Sequence, residues 1–435
     1  MLKILTIFIL VLSLSACGFS TEKNDIIHYY VATNGSDSNP GSEALPFRTI
    51  QKAADYADAG DTIFIKAGEY AERVVLRKSG TDGNPIHFTN YANDTVTING
   101  TNLTWGSWGG LFDLSEQSYI KVSELRLINS TAAGFFLDNS KYITISNSST
   151  DNTFSSGIGV WNSDTITIDN NKVTLACNGG EQESITLSNT LNSEVKNNEV
   201  SNNGTGEFGG EGIDIKDGSH DILVFNNHVH HLNNRPGIYI DAWETDTYNI
   251  KVYSNRVHDN TEVGISMASE MGGRLDDISI YNNVTYSNKF GGIEVGGWSA
   301  AVPARPTPFK NISIINNTSY NNGEGIGISN ADAINVIVRN NILSSNKNLQ
   351  LSIEKIPLSE VHADHNLIDG NNNGLTGTDF VTGDPLFVDA GNGDFHLKIN
   401  SPAIDFGSAT DAPINDLDFN PRPKNGLWDI GAYEF

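Results

Sequence analysis

Paired asparagines recur along this chain at a near-constant interval. They stand at Asn170-Asn171, Asn197-Asn198, Asn226-Asn227, Asn282-Asn283, Asn316-Asn317 and Asn340-Asn341, and Ser254-Asn255 fills the missing place. Their second members lie 27, 29, 28, 28, 34 and 24 residues apart. An alternating stretch such as Asn249-Ile250-Lys251-Val252-Tyr253 precedes each pair. Between pairs sits a second beat, Gly-Ile-x-Ile or a variant, as in Gly212-Ile213-Asp214-Ile215, Gly237-Ile238-Tyr239-Ile240 and Gly264-Ile265-Ser266-Met267. Alternation without helical periodicity predicts short strands, and a fixed period predicts that the strands stack as a solenoid. The period is too long for a hexapeptide helix and too short for propeller blades of about 40–45 residues. The expected fold is all-β: a single right-handed parallel β-helix with three short strands per coil. Asparagine suits the corners, because it tolerates the left-handed conformation and bonds its own backbone.

The ends depart from the repeat. Met1-Leu2-Lys3, an apolar run from Ile4 to Leu14 and the small residues up to Ala16 read as a secretory signal, too short to span a membrane. Leu14-Ser15-Ala16-Cys17 resembles the bacterial lipobox, which implies cleavage after residue 16, lipidation of Cys17 and an exported lipoprotein of the outer membrane or cell surface. Residues 17–27 would then be a tether, and the lipid would be the chain's one membrane contact. Cys177, left without a partner, is expected to be a buried small hydrophobe. The β-helix is expected over 28–380, opened by a cap helix at about 48–58, since a solenoid must cover its exposed sheet edge. Residues 381–435 resemble the closing module of bacterial cell-surface β-helix proteins.

Composition narrows the partners. The chain carries 27 basic and 52 acidic residues in 435, a net charge of −25. Nucleic acid is excluded as a partner, because phosphate binding needs a basic surface. A polysaccharide is the expected partner of a monomer, and a polyanionic one requires positive charge supplied locally.

Aligning coils on the Gly-Ile beat sorts outward residues into columns. One reads Gly159, Thr186, Asp214, Tyr239, Ser266, Glu294, Gly327; the next reads Trp161, Ser188, Lys216, Asp241, Ala268, Gly296, Ser329. Further on lie Trp243, Glu270 and Trp298, and just before the beat stand Glu183, Glu211 and Pro236 after Arg235. Chemistry-bearing residues concentrate between about 181 and 298, whereas the ends of the face are bland. Glu183 and Glu211 share a column in adjacent coils, where like charges repel, so one is protonated or a cation intervenes. Oxygens of Glu183, Glu211 and Asp214 converging from two coils suit Ca²⁺; a solvated acidic patch is the plainer alternative. Lys216, flanked by carboxylates, reads either as a salt-bridged lysine or as a general base whose proton must be lost near neutral pH.

The segment Glu211-Gly212-Ile213-Asp214-Ile215-Lys216 resembles the site motif of β-helix lyases of the alginate lyase and chondroitinase B family, and more loosely that of the lysine-base pectate lyases. The first resemblance implies a lysine base five residues after a Ca²⁺-binding glutamate, a spacing that Glu211 and Lys216 match. It also implies a further glutamate where this chain has Gly209, and an arginine where it has Asp241; Arg235 is the nearest arginine in sequence. What the resemblance implies is a lyase for an acidic, uronate-containing glycan, with Lys216, Arg235 and Asp241 at the catalytic centre.

A second function uses the same face. Asp241 with Asp214 or Glu270 supplies the two acids that a glycoside hydrolase needs. A non-catalytic glycan-binding solenoid is the third reading. For all three, Tyr239, Trp243, Glu244, Glu270, Glu294 and Trp298 are candidate sugar contacts, because exposed aromatic rings offer flat apolar surface. The loop 299–310 is expected to wall the groove, with Arg305 positioned for an anionic group. His230, His258, Tyr286 and Tyr320 form a column read mainly as a stacked ladder, with His230 near enough in sequence to the groove to contact substrate there. His228-x-His230-His231 is a weak metal pattern, on the expectation that these rings face opposite sides of their strand.

Overall fold

A computed structural model describes residues 26–204, 209–297, 299–300, 302, 304–424 and 426–435. Cys17 and Trp298 fall outside the described residues. Each coil runs through three parallel sheets in turn. Sheet 1 has thirteen strands, from His28–Val31 to Val361–Asp364. Sheet 2 has thirteen, from Gly68–Tyr70 to Val381–Thr382, and sheet 3 has eleven, from Val74–Val75 to Leu351–Ile353. Neighbouring strands come from successive coils, so the sequence repeat is the sheet repeat.

Two pieces of local chemistry make the corners. The asparagine pairs separate sheets 1 and 2. Asn170, Asn197, Asn226, Ser254, Asn282, Asn316 and Asn340 all have φ between 53° and 58°, the left-handed region in which asparagine is tolerated. Their successors turn inward as a ladder. Asn227 N and Nδ2 donate to Asn255 Oδ1 at 2.9 and 3.0 Å. Asn255 N and Nδ2 donate in turn to Asn283 Oδ1 at 3.0 and 2.9 Å. A second ladder, absent from the sequence reading, runs through Asn260, Asn288, Asn322 and Asn346 at the corner before sheet 3. It crowds the glycine of the Gly-Ile beat: a Cβ at Gly264 would stand 2.7 Å from Gly292 O and 2.8 Å from Asn288 Nδ2. Glycine recurs there because two coils and an amide stack meet.

The inward residues of the beat, Ile158, Ile185, Ile213, Ile238, Ile265 and Ile293, are completely buried and form the spine of one continuous core. Cys177 is buried in it with a free thiol. The helix at the start is Ile50–Tyr56, two residues shorter at each end than expected. Thr49 has extended backbone and accepts from Lys52 N, so it caps the helix instead of joining it. Ile50, Ala53 and Ala54 bury its inner face.

Near the C-terminus Phe387–Asp389 and Asp394–Leu397 form an antiparallel hairpin. Phe387 and Phe395 pack on Val284, Ile342, Leu367, Tyr286 and Tyr320 of sheet 2, making a smaller second core. Arg422 and Glu434, both fully buried, close this segment with a 2.7 Å ion pair. No helix among the described residues is long and apolar enough to cross a membrane.

Candidate functional site

The columns expected from the sequence are present in register on sheet 3. Thr186, Asp214, Tyr239, Ser266 and Glu294 are successive partners, as are Ser188 with Lys216 and Asp241 with Ala268. Outward residues of short, twisted strands share one face, and two sets of loops raise walls around it. Residues 209–211 and 234–236 approach from the sheet 2 side; residues 242–245 with Ala300 and Arg305 stand on the other. The result is a cleft of about 930 Å³ lined by Glu183, Glu211, Asp214, Lys216, Arg235, Tyr239, Asp241, Trp243, Glu270 and Glu294.

Lys216 lies at its floor. Its Nζ is 2.6 Å from Glu183 Oε1 and 3.6 Å from Asp214 Oδ2. Glu183 is fixed from its other side by Thr186 Oγ1, which donates to Oε2 at 2.8 Å. Burial alone would strip the ammonium of its proton, but Glu183 and then Asp214 outweigh it and hold the lysine pKa above its ordinary value. Glu211 follows Arg235, whose Nε lies 3.4 Å from Oε1 and donates to Gly209 O at 2.9 Å. Burial, then the charge of Glu183, pushes the Glu211 carboxyl up to about 7. The repulsion expected between these two glutamates is therefore met partly by a proton and partly by the chain's own two cations.

Burial pushes the carboxyls of the neighbouring acids upward as well. Burial, with the Glu183 charge next, raises Asp214 well above the usual carboxylate range. Burial, then Glu270, does the same to Asp241. Tyr239 donates to Glu270 Oε1 at 2.6 Å. Glu211 Oε2, Asp214 Oδ1 and Asp241 Oδ1 are buried with no hydrogen-bond partner. Such atoms cost about 1–3 kcal/mol each, and all three belong to residues of one cleft. Their hard-oxygen chemistry suits a cation such as Ca²⁺. Yet no three acids or histidines among the described residues converge on one point, because Lys216 stands between Glu183 and Asp214 and Arg235 stands against Glu211.

Several expected contacts lie elsewhere. Glu244 points away to Arg305, 3.6 Å off, and is well exposed. Arg305 also donates to Met271 O at 2.8 Å, so it pins the wall loop. His230 is not in the cleft: it sits on sheet 2, whose outer face is a different side of the coil. Sequence proximity misled there, because seven residues carry the chain around a corner. The opposite-face expectation for His228 and His230 also fails. Residues two apart share a face, and only Val229 between them is inward. The ladder reading of the column holds, with His230 and His258 stacked at 5.3 Å, and His258 and Tyr286 at 4.4 Å. Glu262, Val263 and Met267 line the cleft without having been expected. Glu262 and Val263 lie just before the beat, where the alignment of columns was not extended.

Residues 29–179 match the family model described as a Pel9A-like right-handed β-helix region, and residues 176–306 match one described as a right-handed β-helix region. All the residues of the cleft floor lie in the second, more general, match. An uncharacterised Bacillus subtilis protein, YwoF, is 30% identical over 314 residues, covering 64% of this chain and 66% of that protein. Pectate lyase PEL9 of Emericella nidulans is 30% identical over 112 residues, covering 23% and 27%. The chain thus spans just under two thirds of the first relative and about a quarter of the second. Among solved structures, pectate lyase Pel9A superposes with a TM-score of 0.63 at 17% identity, over 94% of this chain and 97% of that one. XylC in complex with xylose gives 0.59 at 14%, over 93% and 98%. The A-module of the Azotobacter vinelandii mannuronan C-5 epimerase AlgE4 gives 0.57 at 16%, over 81% and 97%. These likenesses establish the fold.

Proposed function

On a right-handed parallel β-helix of the pectate-lyase-like kind, we propose that the sheet 3 cleft cleaves an acidic, uronate-containing polysaccharide by β-elimination, with Lys216 as the base. The observation that carries this is a lysine amine at the floor of a sugar-sized cleft, 2.6 Å from a carboxylate that can take its proton. Base action requires the neutral amine, whereas Glu183 and Asp214 hold the ammonium in the free protein, so bound substrate must let Nζ pass its proton to Glu183 Oε1. Lys216 then removes the proton on C5 of the uronate. The C5–H electrons form the C4=C5 double bond, the C4–O4 bond breaks, and O4 leaves as a hydroxyl after taking a proton. Asp241, whose carboxyl burial pushes well above its ordinary range, is the candidate donor in the next coil of the lysine column. Arg235 is the group that meets the substrate carboxylate, and Trp243 on the rim offers a surface for a sugar ring. Calcium belongs to the proposal as an ion that Glu183, Glu211 and Asp214 would hold when Lys216 and Arg235 release them; it would neutralise the uronate carboxylate.

One observation favours a second reading, a glycoside hydrolase. Burial, then the Glu270 charge, pushes the Asp241 carboxyl well above the usual carboxylate range, and two acids with their proton affinities set apart are what hydrolysis needs. A polysaccharide panel separates the two. Elimination yields an unsaturated uronate with ultraviolet absorbance, whereas hydrolysis yields reducing ends alone. The lyase reading fails if Lys216→Ala keeps full activity or no product absorbs; the hydrolase reading fails if Asp241→Asn does.

A further inference from the structure

A second groove of about 700 Å³ lies on the outer face of sheet 1, remote from the cleft chemistry. Its floor is made by four successive coils. Lys251, Ser279 and Ser313 are register partners there, and Tyr253, Tyr281 and Ile315 form the neighbouring column. The opposing wall is the C-terminal segment, which brings Ile414 and Phe419 over the floor. Ile414 is 81% exposed and Phe419 48% exposed, an unusual investment of large apolar side chains beside a polar floor. The tyrosine rings stack with centroids 4.9 Å apart and planes within 1° of parallel, so their edges and hydroxyls face the groove. The Tyr253 and Tyr281 hydroxyls and the Lys251 ammonium have no bonded partner among the described residues.

We propose that this groove binds a neutral glycan chain, as a non-catalytic holding site. Hydroxyl and amine groups repeat along it at the strand spacing of about 4.8 Å, in step with a polymer of sugar rings, while Ile414, Phe419 and Ile315 meet the apolar faces of those rings. The charge on its walls selects the neutral class. Asp277, Asp411 and Asp416 line it beside Lys251, and of these acids Asp411 is paired with Arg339 at 2.8 Å, so the groove carries no excess of positive charge. A polyanion finds no surplus cation there to pair with. The proposal does not depend on the lyase reading, because it concerns binding on another sheet.

The test is affinity electrophoresis of the full chain in gels holding xylan, galactan, mannan or mixed-linkage β-glucan, each a neutral polymer, beside a gel without polymer. At least one polymer should retard the chain. Ile414→Ser with Phe419→Ser should weaken that retardation about tenfold, and Ser313→Trp, which fills the groove from the coil side, should abolish it. Trp243→Ala, in the cleft, should leave it unchanged, and thermal melts show that each variant is folded. The proposal is overturned if no neutral polymer retards the chain, if retardation survives both groove variants, if Trp243→Ala removes it, or if light scattering finds a dimer that the groove variants split.

Discussion

Two of the polar stacks that run through this solenoid are built to opposite rules. In the asparagine ladder between sheets 1 and 2 every amide is used. Asn255 donates from Nδ2 to Val224 O and Asn283 Oδ1 and from its backbone N to the same oxygen, and accepts twice from Asn227. In the sheet 3 cleft, three carboxylate oxygens are buried with no partner, and Lys216 is shared between two acids. Both stacks are buried, so exposure does not explain the difference. A stack that serves folding is satisfied in the free protein, because each orphan would subtract from a small net stability. The cleft gathers three such orphan oxygens on one face, which supports the proposal of chemistry there and not at the ladder.

The comparison can be broken most severely at Lys216. Lys216→Arg keeps a cation against Glu183 and Asp214 but presents a group that does not lose its proton. Polysaccharide cleavage should fall on the order of 10³-fold, about 4 kcal/mol in the barrier, with the melting temperature held. A variant that retains its rate shows that the lysine acts as a charge and not as a base. The ladder should give the reverse pattern. Asn255→Ala removes four side-chain hydrogen bonds and takes away the acceptor of Asn227 N, so unfolding by denaturant should be easier by about 3 kcal/mol. Activity per folded molecule should be unchanged. Loss of activity without loss of stability would mean that the two stacks are not separable.

Glu211 tests the same contrast through pH. Its folded pKa is raised to about 7 by burial and Glu183, so the folded state prefers the protonated acid. Stability from this group is fully present below the ordinary carboxylate range and is lost as pH rises through about 7. Glu211→Gln imitates the protonated form. In chelator, to remove adventitious cations, the variant should match the wild type in acid and exceed it above neutrality by about 2 kcal/mol. Equal curves would mean that Arg235 alone neutralises Glu211. Adding Ca²⁺ in place of chelator should stabilise the wild type more than the variant if Glu211 is one of its ligands. On the rim, Trp243→Ala should raise KM about tenfold, roughly 1.4 kcal/mol, with kcat nearly kept.

The fold was legible because its determinants are periodic. The Asn pair, the inward isoleucines and the outward columns each repeat once per coil, and parallel pairing maps sequence register directly onto space. That is why Asp214 could be placed beside Thr186 and Tyr239, and Asp241 beside Ala268, from the letters alone. The cleft was legible in membership for the same reason, as eight of the ten lining residues named above stand in the columns or just before the beat. Loops break the periodicity, and the errors sit there. Glu244 turns to Arg305 instead of the groove, and His230 lies across a corner where its coil has Leu232 in place of the ladder asparagine. The partners of Lys216 were also ambiguous, since columns give neighbours and not the distances at which a proton is shared.

A third polar stack, on sheet 2, lies between the two types and gives the smallest effect. His228 Nε2 and His258 Nε2 stand 2.7 Å apart, so one ring donates and the other accepts, and His258 Nδ1 meets Asp259 Oδ2 at 2.7 Å. Since His258 Nδ1 donates to Asp259, its Nε2 accepts from His228, and a second proton on His228 would add positive charge beside His230 and His258. Burial, followed by the charges of His230 and His258, lowers its pKa to about 4. The folded state thus resists a proton that the unfolded chain accepts near 6.5. Stability from the neutral ring is present above that value and is lost as pH falls toward about 4. His228→Asn removes both the bond and the titration. Because the ring is half exposed, its worth is about 1 kcal/mol or less. Thermal melts should therefore place the variant slightly below the wild type at neutral pH, with the gap closing as the medium is acidified. A gap that stays constant would assign the cluster to the satisfied type, as fixed as the asparagine ladder; a gap that closes shows a stack satisfied in only one protonation state.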